Sequence, residues 1–161
     1  MELPAIIDLE ASGFGRGSYP IEVGVKLQDG SIHAVLIKPA DSWSHWDESA
    51  QAIHGISREH LKAHGKNVRE VAIFLNEICA GQTLYSDAWS FDSSWLGRLF
   101  DEAEIVQRFK LDTLMRLLNE DELACWSDTK DAMAKELALD LHRAANDVQL
   151  LSETFKKVTK S

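Results

Sequence analysis

Two acidic side chains interrupt an apolar run close to the start of the chain. In the segment Ile6-Ile7-Asp8-Leu9-Glu10 the side chains of a strand would alternate between faces, so Asp8 and Glu10 lie side by side on one face. Neighbouring carboxylates that are partly removed from water repel each other unless a cation is shared between them. Oxygen ligands at this spacing suit Mg²⁺ or Mn²⁺, whereas an exposed strand end would leave two ordinary solvated acids.

Two further acids fall on helical faces where apolar side chains are expected. Asp92 shares a face with Leu96 and Leu99, although a position in the first turn would also suit the helix dipole. Asp147 is separated from Leu151 by about 40° of helical rotation and therefore lies on the apolar stripe of the last predicted helix. An acid on a packing face requires a partner, because burying an unpaired charge is costly.

His142 precedes Asp147 by five residues. On one regular helix this spacing corresponds to about 140°, so both side chains can face one site only if His142 lies in the loop or first turn before the helix. Such a placement leaves the imidazole mobile and suits a general base. The alternative is a solvated histidine at the start of a helix.

The elements that must position these side chains follow from the hydrophobic pattern. Three strands are predicted over residues 3–9, 19–27 and 31–37, with a hairpin turn at 28–30. The glycine-rich segment 13–17 between the first two lacks the spacing and the following helix of a dinucleotide-binding loop. Residues 40–66 are predicted to be irregular with short helical turns, and Asn67 caps a helix that ends at Gly81.

The rest of the chain alternates strands and helices. Strands are predicted over residues 82–86 and 105–111, and helices over residues 91–101, 112–118 with Asp112 as the cap, 128–139 and 143–158. A meander followed by this alternation predicts one α/β domain, residues 1–161, with a mixed sheet.

The composition limits the classes of function. With 45% hydrophobic and 27% charged residues, no membrane-spanning stretch and no signal peptide, the sequence predicts a soluble cytoplasmic protein without a membrane partner. Cys79 and Cys125 are predicted to be buried, reduced thiols rather than a disulfide or a metal site. A net charge of −9 argues against an extended phosphate-tracking surface, so any contact with nucleic acid should be short.

Four segments, in this order, carry a family pattern. The first is Asp8-Leu9-Glu10-Ala11-Ser12-Gly13-Phe14, an Asp-x-Glu followed by a small hydroxyl residue, glycine and a bulky apolar residue. The others are Ala52-Ile53-His54-Gly55-Ile56-Ser57, the pair Phe91-Asp92, and His142-Arg143-Ala144-Ala145-Asn146-Asp147 with its His-x4-Asp spacing. Together they resemble the DEDD exonucleases of the histidine subtype, the family of proofreading exonucleases, over almost the whole chain.

The resemblance implies an RNase H-like fold, with a five-stranded mixed sheet flanked by helices. It also implies a 3′→5′ exonuclease that hydrolyses terminal phosphodiesters of single-stranded DNA or short RNA and releases nucleoside 5′-monophosphates. Two divalent cations, Mg²⁺ or Mn²⁺, would activate the attacking water and stabilise the departing 3′ oxygen. The implied ligands are Asp8, Glu10, Asp92 and Asp147. His142 would take the proton of the water.

The resemblance also assigns residues to the terminal nucleotide. They come from the first two motifs and are Ala11, Ser12, Gly13, Phe14, His54 and Ile56. Phe14 would act as a wedge against the base, whereas His54 could instead only shape its loop by a backbone hydrogen bond. Among the tryptophans, Trp95 is expected in the core, and Trp89, in a loop near Asp92, is the better candidate for stacking on a base.

The second motif departs from the family pattern. The family often has His-Asn before the aromatic-Asp pair, whereas Ser86-Asp87 stands here. Asp87 is therefore an alternative metal ligand, although the preceding Phe91 and the apolar helical face favour Asp92. The extra acid would also add negative charge near a bound strand.

Two other functional readings remain open on the sequence. One is a non-catalytic module of the same fold that binds nucleic acid or a protein, and the other is a cytosolic metalloprotein with unrelated hydrolytic activity. The complete set of carboxylates favours catalysis, and the expected partners are 3′ ends of short or frayed single strands. A polymerase or another protein is left open as a partner, as is the oligomeric state.

Overall fold

The computed structural model describes residues 2–160 and arranges its strands in one five-stranded sheet. The strands are β1 (Ala5–Ala11), β2 (Pro20–Lys26), β3 (Ile32–Leu36), β4 (Thr83–Ser86) and β5 (Lys110–Thr113), in the order β3-β2-β1-β4-β5. β1 and β3 are antiparallel to β2, whereas β4 is parallel to both β1 and β5. The predicted meander and mixed sheet are confirmed, and β1 lies at the centre.

Helices cover both faces of this sheet. They are α1 (Glu48–His54), α2 (Arg58–His64), α3 (Val68–Cys79), α4 (Trp89–Ala103), α5 (Glu120–Leu137) and α6 (Ala144–Thr159), with a 3-10 helix at Leu114–Leu117. The larger core lies against the face that carries Ile7 and Leu9 and includes α3 and α4. Ile6, on the opposite face, packs with the apolar stripe of α6. Asp8 and Glu10 share that second face because side chains alternate along β1.

Three predicted boundaries were wrong near the end of the sheet and in α5. β5 begins at Lys110 rather than at residue 105. The residues between α4 and Lys110 form a connection that leads to the start of β4, and pairing with β4 begins only at Lys110. Asp112 lies within β5, and the cap of the following 3-10 helix is Thr113. α5 begins at Glu120 rather than at residue 128, since a capping box between Asn119 and Glu122 starts it earlier.

The two cysteines differ in burial. Cys79 is buried in α3, as predicted, and burial raises the pKa of its thiol to about 12. Cys125 is exposed on the outer side of α5, so the prediction of a buried thiol was wrong there. Few α5 side chains are buried, which makes its inner face hard to recognise from the sequence. Within residues 2–160, none of the helices combines the length and apolarity needed to cross a membrane.

α6 starts in direct contact with the middle of β2. A Cβ placed on Gly24 would lie 2.6 Å from the carbonyl carbon and oxygen of Ala144, the first residue of α6. Real side chains do not tolerate such a contact with backbone, so the missing side chain sets how closely the helix approaches the sheet.

Gly24→Ala is expected to lower the free energy of unfolding by about 1–3 kcal/mol, because it overpacks this contact. Gly97→Ala is the matched control, since a Cβ there in the middle of α4 meets nothing within 4 Å. The control is expected to be neutral or to raise stability by up to ~1 kcal/mol through helix propensity. Urea denaturation of both variants measures the difference, and equal stabilities would contradict the close contact.

Candidate metal and nucleic-acid-binding site

Acidic side chains from separate segments line one cavity of about 460 Å³. Asp8 and Glu10 come from β1, and Asp147 comes from the first turn of α6. Asp92 lies in the first turn of α4, and Asp87 lies in the loop before that helix. The four acids singled out in the sequence therefore lie together, and Asp87 joins them.

These acids and His142 form two groups. Within each group, the potential ligand atoms all lie within 4.8 Å of one another. One group is Asp8, Asp87 and Asp92, and the other is Glu10, Asp147 and His142. Asp87 and Asp92 are thus not mutually exclusive as ligands, because both carboxylates reach the same place. All donors except the imidazole are hard oxygens, the type that Mg²⁺ and Mn²⁺ prefer.

Burial and mutual repulsion disfavour the charged forms of these acids. Burial, with the nearby charges of Asp147 and Asp92, raises the pKa of Asp8 well above its usual value. Burial raises the pKa of Glu10 to about 9, and Asp147 contributes through a hydrogen bond and its charge. Burial likewise raises the pKa of Asp92 to about 7, against the opposing effect of its hydrogen bond from Ser86.

Asp8 gives a direct indication that a cation fits here. Its Oδ2 atom is buried and has no hydrogen-bond partner among residues 2–160. A buried carboxylate oxygen without a partner is costly, and a divalent cation would supply the missing interaction. Asp92, only 1% exposed, is instead held in place, since Ser86 Oγ donates to its Oδ2 at 2.5 Å. The donor set therefore fits one or more divalent cations.

The start of α6 is fixed by an ion pair with β2. Arg143 donates from Nε and Nη2 to the Glu22 carboxylate at 3.2 and 2.8 Å, and the backbone N–H of Ala144 donates to the same carboxylate at 2.8 Å. Glu22 is therefore an N-terminal cap supplied from a neighbouring strand. This contact holds the end of the helix that carries Asp147.

His142 lies in the loop immediately before α6, as its spacing from Asp147 required. Its side chain is exposed, and its φ of 66° is in the left-handed region that non-glycine residues seldom adopt. Its backbone N–H donates to Asp147 Oδ1 at 3.0 Å. Asp147 thus stabilises the unusual backbone conformation of His142. In this conformation the imidazole lies within 4.8 Å of the carboxylate oxygens of Glu10 and Asp147.

The other half of the cavity is aromatic and apolar. Phe14 is 64% exposed and Phe91 is 47% exposed, with ring centroids 5.1 Å apart at 71°. Both rings also contact Trp95, which is buried as predicted. Ile53, likewise exposed, lines the same cavity. Exposed apolar side chains grouped at a cavity mark a binding surface rather than a folding core.

The remaining substrate-binding candidates occupy different places. Ala11, Gly13 and His54 line the cavity, whereas Ser12 and Ile56 are buried and do not. The Ser12 hydroxyl lies 2.8 Å from His45 Nδ1 and accepts from the Tyr19 N–H, so it holds the loop after β1.

His54 and Trp89 also have structural contacts. His54 Nδ1 accepts from the Ile56 N–H at 3.0 Å, the loop-shaping contact considered from the sequence, and burial lowers the pKa of the imidazole. Trp89 is exposed but does not line the cavity, and its indole N–H donates to the Leu111 carbonyl at 3.2 Å. Phe91, rather than Trp89, therefore presents an aromatic ring beside Phe14.

One residue of the site was missed in the sequence. Lys130 of α5 lines the cavity, and its ammonium lies 2.8 Å from Asp87 Oδ2. A signal was present, because Lys130 follows the buried Trp126 by four residues and precedes the buried Met133 by three, a spacing that places it on the packing face. The prediction of a later start for α5 left Trp126 outside the helix and concealed this stripe.

The chain is similar in fold to solved structures of exonuclease I. Its TM-score is 0.76 with the zinc-bound Escherichia coli enzyme in complex with single-stranded DNA, at 15% identity over 99% of this chain and 41% of that chain. The TM-score with the E. coli complex with a dA16 oligonucleotide is 0.73, at 15% identity over 99% of this chain and 41% of that chain. The TM-score with a product-bound exonuclease I is 0.61, at 16% identity over 78% of this chain and 32% of that chain. No protein-family model matches the chain, and no curated protein matches it in sequence.

These likenesses, with the observed topology, establish the predicted RNase H-like fold, a five-stranded mixed sheet flanked by helices as in the nuclease domain of exonuclease I. The chain spans about two fifths of the length of the E. coli enzyme. At 15% identity the likeness establishes the fold.

Without metal ions, stability is expected to fall as the pH rises. The raised pKa values, about 7 for Asp92 and about 9 for Glu10, mean that the native state holds protons the unfolded chain releases near pH 4 to 5. The contribution of these two groups to stability is therefore greatest below that range and is lost progressively up to about pH 9. Thermal unfolding from pH 5 to pH 9 in EDTA measures it, and saturating Mn²⁺ should restore the melting temperature at high pH.

Glu10→Gln should flatten this pH dependence and reduce the gain from Mn²⁺, because it removes one repelling ligand. Glu136→Gln, on the exposed side of α5, is the control and should behave as wild type. Stability that increases between pH 6 and pH 9 in EDTA would contradict the crowding of carboxylates.

Proposed function

We propose that this chain is a metal-dependent 3′→5′ exonuclease that acts on single-stranded DNA or short RNA and releases nucleoside 5′-monophosphates. We further propose that residues 1–161 form one catalytic domain. The observation that carries the proposal is the cavity in which buried and partly buried carboxylates, an exposed histidine and exposed aromatic rings meet. The nucleic-acid complexes of exonuclease I, which has the same fold, are consistent with it.

The carboxylates are proposed to bind two divalent cations, Mg²⁺ or Mn²⁺. Glu10 and Asp147 would contribute to one site, and Asp92 and Asp8, with its unpaired oxygen, would contribute to the other. Bound there, the cations would supply the Lewis acidity that activates water and stabilises the departing 3′ oxygen. The rigid placement of Asp92 and the capped start of α6 keep the ligands in position without reorganisation.

His142 is proposed as the general base. Its imidazole is within 4.8 Å of the carboxylate oxygens of Glu10 and Asp147, where it can take a proton from the attacking water. The exposed loop position lets the ring move toward solvent to release that proton. Asp147 has two functions in this arrangement, since it binds a cation through its carboxylate and fixes the His142 backbone.

The aromatic half of the cavity is proposed to bind the terminal bases. Phe14 and Phe91 offer ring faces and edges a short distance from the acids, and Ala11 and Gly13 provide backbone groups at the same wall. Stacking on aromatic rings tolerates any base, which suits an exonuclease that removes nucleotides regardless of sequence. An acidic protein gains from this arrangement because stacking does not depend on a large basic surface.

The alternative is a non-catalytic nucleic-acid- or protein-binding module of the same fold, favoured by the acid at Asp87. It is tested with 5′-labelled DNA and RNA oligonucleotides in Mg²⁺, Mn²⁺ or EDTA. The proposed enzyme shortens them from the 3′ end, releases 5′-monophosphates and is inactive in EDTA.

His142→Ala should lower kcat about 100- to 10,000-fold, the range for loss of a general base. His60→Ala, on exposed α2, is the control. Cleavage that persists in EDTA would refute the metal mechanism. Activity of His142→Ala equal to that of wild type would refute His142 as the general base.

Phe91→Ala and Phe14→Ala are each expected to weaken the binding of a short oligonucleotide about 5- to 150-fold, the range for loss of one base-stacking contact. Trp89→Ala, which removes an equally exposed ring outside the cavity, is expected to leave affinity unchanged. Fluorescence anisotropy with a labelled oligonucleotide measures all three. A loss confined to Trp89→Ala would restore the role predicted for Trp89 from the sequence and remove the one proposed for Phe91.

A further inference from the structure

Lys130 places a positive charge inside the acidic cavity. Among residues 2–160 it is the only lysine or arginine that lines this cavity. Its side chain is 36% exposed and its ion-pair partner Asp87 is 19% exposed, so the pair is partly removed from water. Burial lowers the pKa of Lys130, but the charges of Asp87, Asp147 and Asp8 outweigh burial and raise it. The ammonium group therefore faces the carboxylates that are proposed to hold the cations.

The ion pair between Lys130 and Asp87 affects the net charge that a bound strand would meet in the cavity. Four ligand carboxylates and two divalent cations are balanced, and a bound strand then adds negative phosphates. Asp87 is a further acid within 4.8 Å of Asp8 and Asp92, and without a partner it would repel those phosphates. Lys130 cancels that charge at 2.8 Å. It also has three N–H donors, of which the structure pairs one with Asp87.

The position of Lys130 favours a role beyond structural pairing. α5 contributes few side chains to the core, and Lys130 is on its inner face between the buried Trp126 and Met133. A lysine directed into a cavity that is proposed to bind a polyanion has an evident second acceptor, a phosphate oxygen.

We propose that Lys130 is a substrate-binding residue, whose ammonium neutralises Asp87 and donates a hydrogen bond to a phosphate oxygen of the bound nucleic-acid strand. The inference rests on the proposed function, because it requires a strand and cations in the cavity. Lys130 thereby supplies the short cationic contact that a chain of net charge −9 otherwise lacks at this cavity.

The test compares Lys130→Met, Asp87→Asn and the double variant, with Lys135→Met on the exposed side of α5 as the matched control. Binding of a labelled, cleavage-resistant phosphorothioate oligonucleotide is measured in Mg²⁺ at several salt concentrations. Lys130→Met should weaken binding about tenfold or more and lower the salt slope by about 0.7, as expected for one lost phosphate contact. Asp87→Asn should bind the strand at least as tightly as wild type.

The double variant separates the two parts of the proposal. It should bind more tightly than Lys130→Met, because the uncompensated acid is gone, but less tightly than wild type, because the phosphate contact is lost. Full recovery in the double variant would overturn the phosphate contact, and wild-type affinity of Lys130→Met would overturn the whole inference. Calorimetric titration with Mn²⁺ alone should show no loss of metal affinity in Lys130→Met, and such a loss would also contradict it.

A failure of the proposed function has a different signature. If wild-type protein neither binds the phosphorothioate oligonucleotide nor shortens an unmodified one, the exonuclease proposal and this inference fall together. If wild type binds and Lys130→Met binds equally well, only the inference falls. Melting temperatures of all variants show whether a loss of binding follows from unfolding, and Lys130→Arg, which keeps the charge, should retain most of the affinity in a folded protein.

Discussion

The repulsion among carboxylates at one end of the central strand is the constraint on which the rest of the site depends. Asp8 and Glu10 occupy positions on β1 where the neighbouring Ile6 of the same face is fully buried. Their raised pKa values show that the fold holds these acids at a cost, which protonation or cations relieve. Sites that bind ligands commonly retain such local instability, and the rest of the fold must compensate for it.

The compensation is concentrated where α6 meets the sheet. Gly24 lets the helix approach β2, and Glu22 on the same strand caps the helix through Arg143 and Ala144. Asp147 then holds the left-handed backbone of His142 from within the first helical turn. The exposed His142 is thus positioned by a chain of contacts that begins in the sheet, and these contacts give its imidazole a rigid support.

Much of this arrangement was predictable because it follows local periodicity. Alternation along β1 placed Asp8 and Glu10 on one face, and helical spacing placed Asp92 on the inner side of α4 and His142 before α6. The contacts that were not predicted join distant segments. Lys130 meets Asp87 across 43 positions of sequence, and no local pattern pairs them. Phe91 and Phe14 become neighbours only after α4 packs beside the loop that follows β1.

The acidic surface and the proposed substrate are compatible because the binding contributions act at short range. Charges separated by more than about 8 Å are largely screened at physiological salt, so the net charge of −9 matters less than the groups that line the cavity. There, the proposed cations would lie at the carboxylates, in the same cavity as the Lys130 ammonium and the rings of Phe14 and Phe91. Such a site would engage the end of a strand strongly and its remote phosphates weakly. The preference for short or frayed single strands that the sequence predicts would therefore follow from placing one small site on an acidic protein.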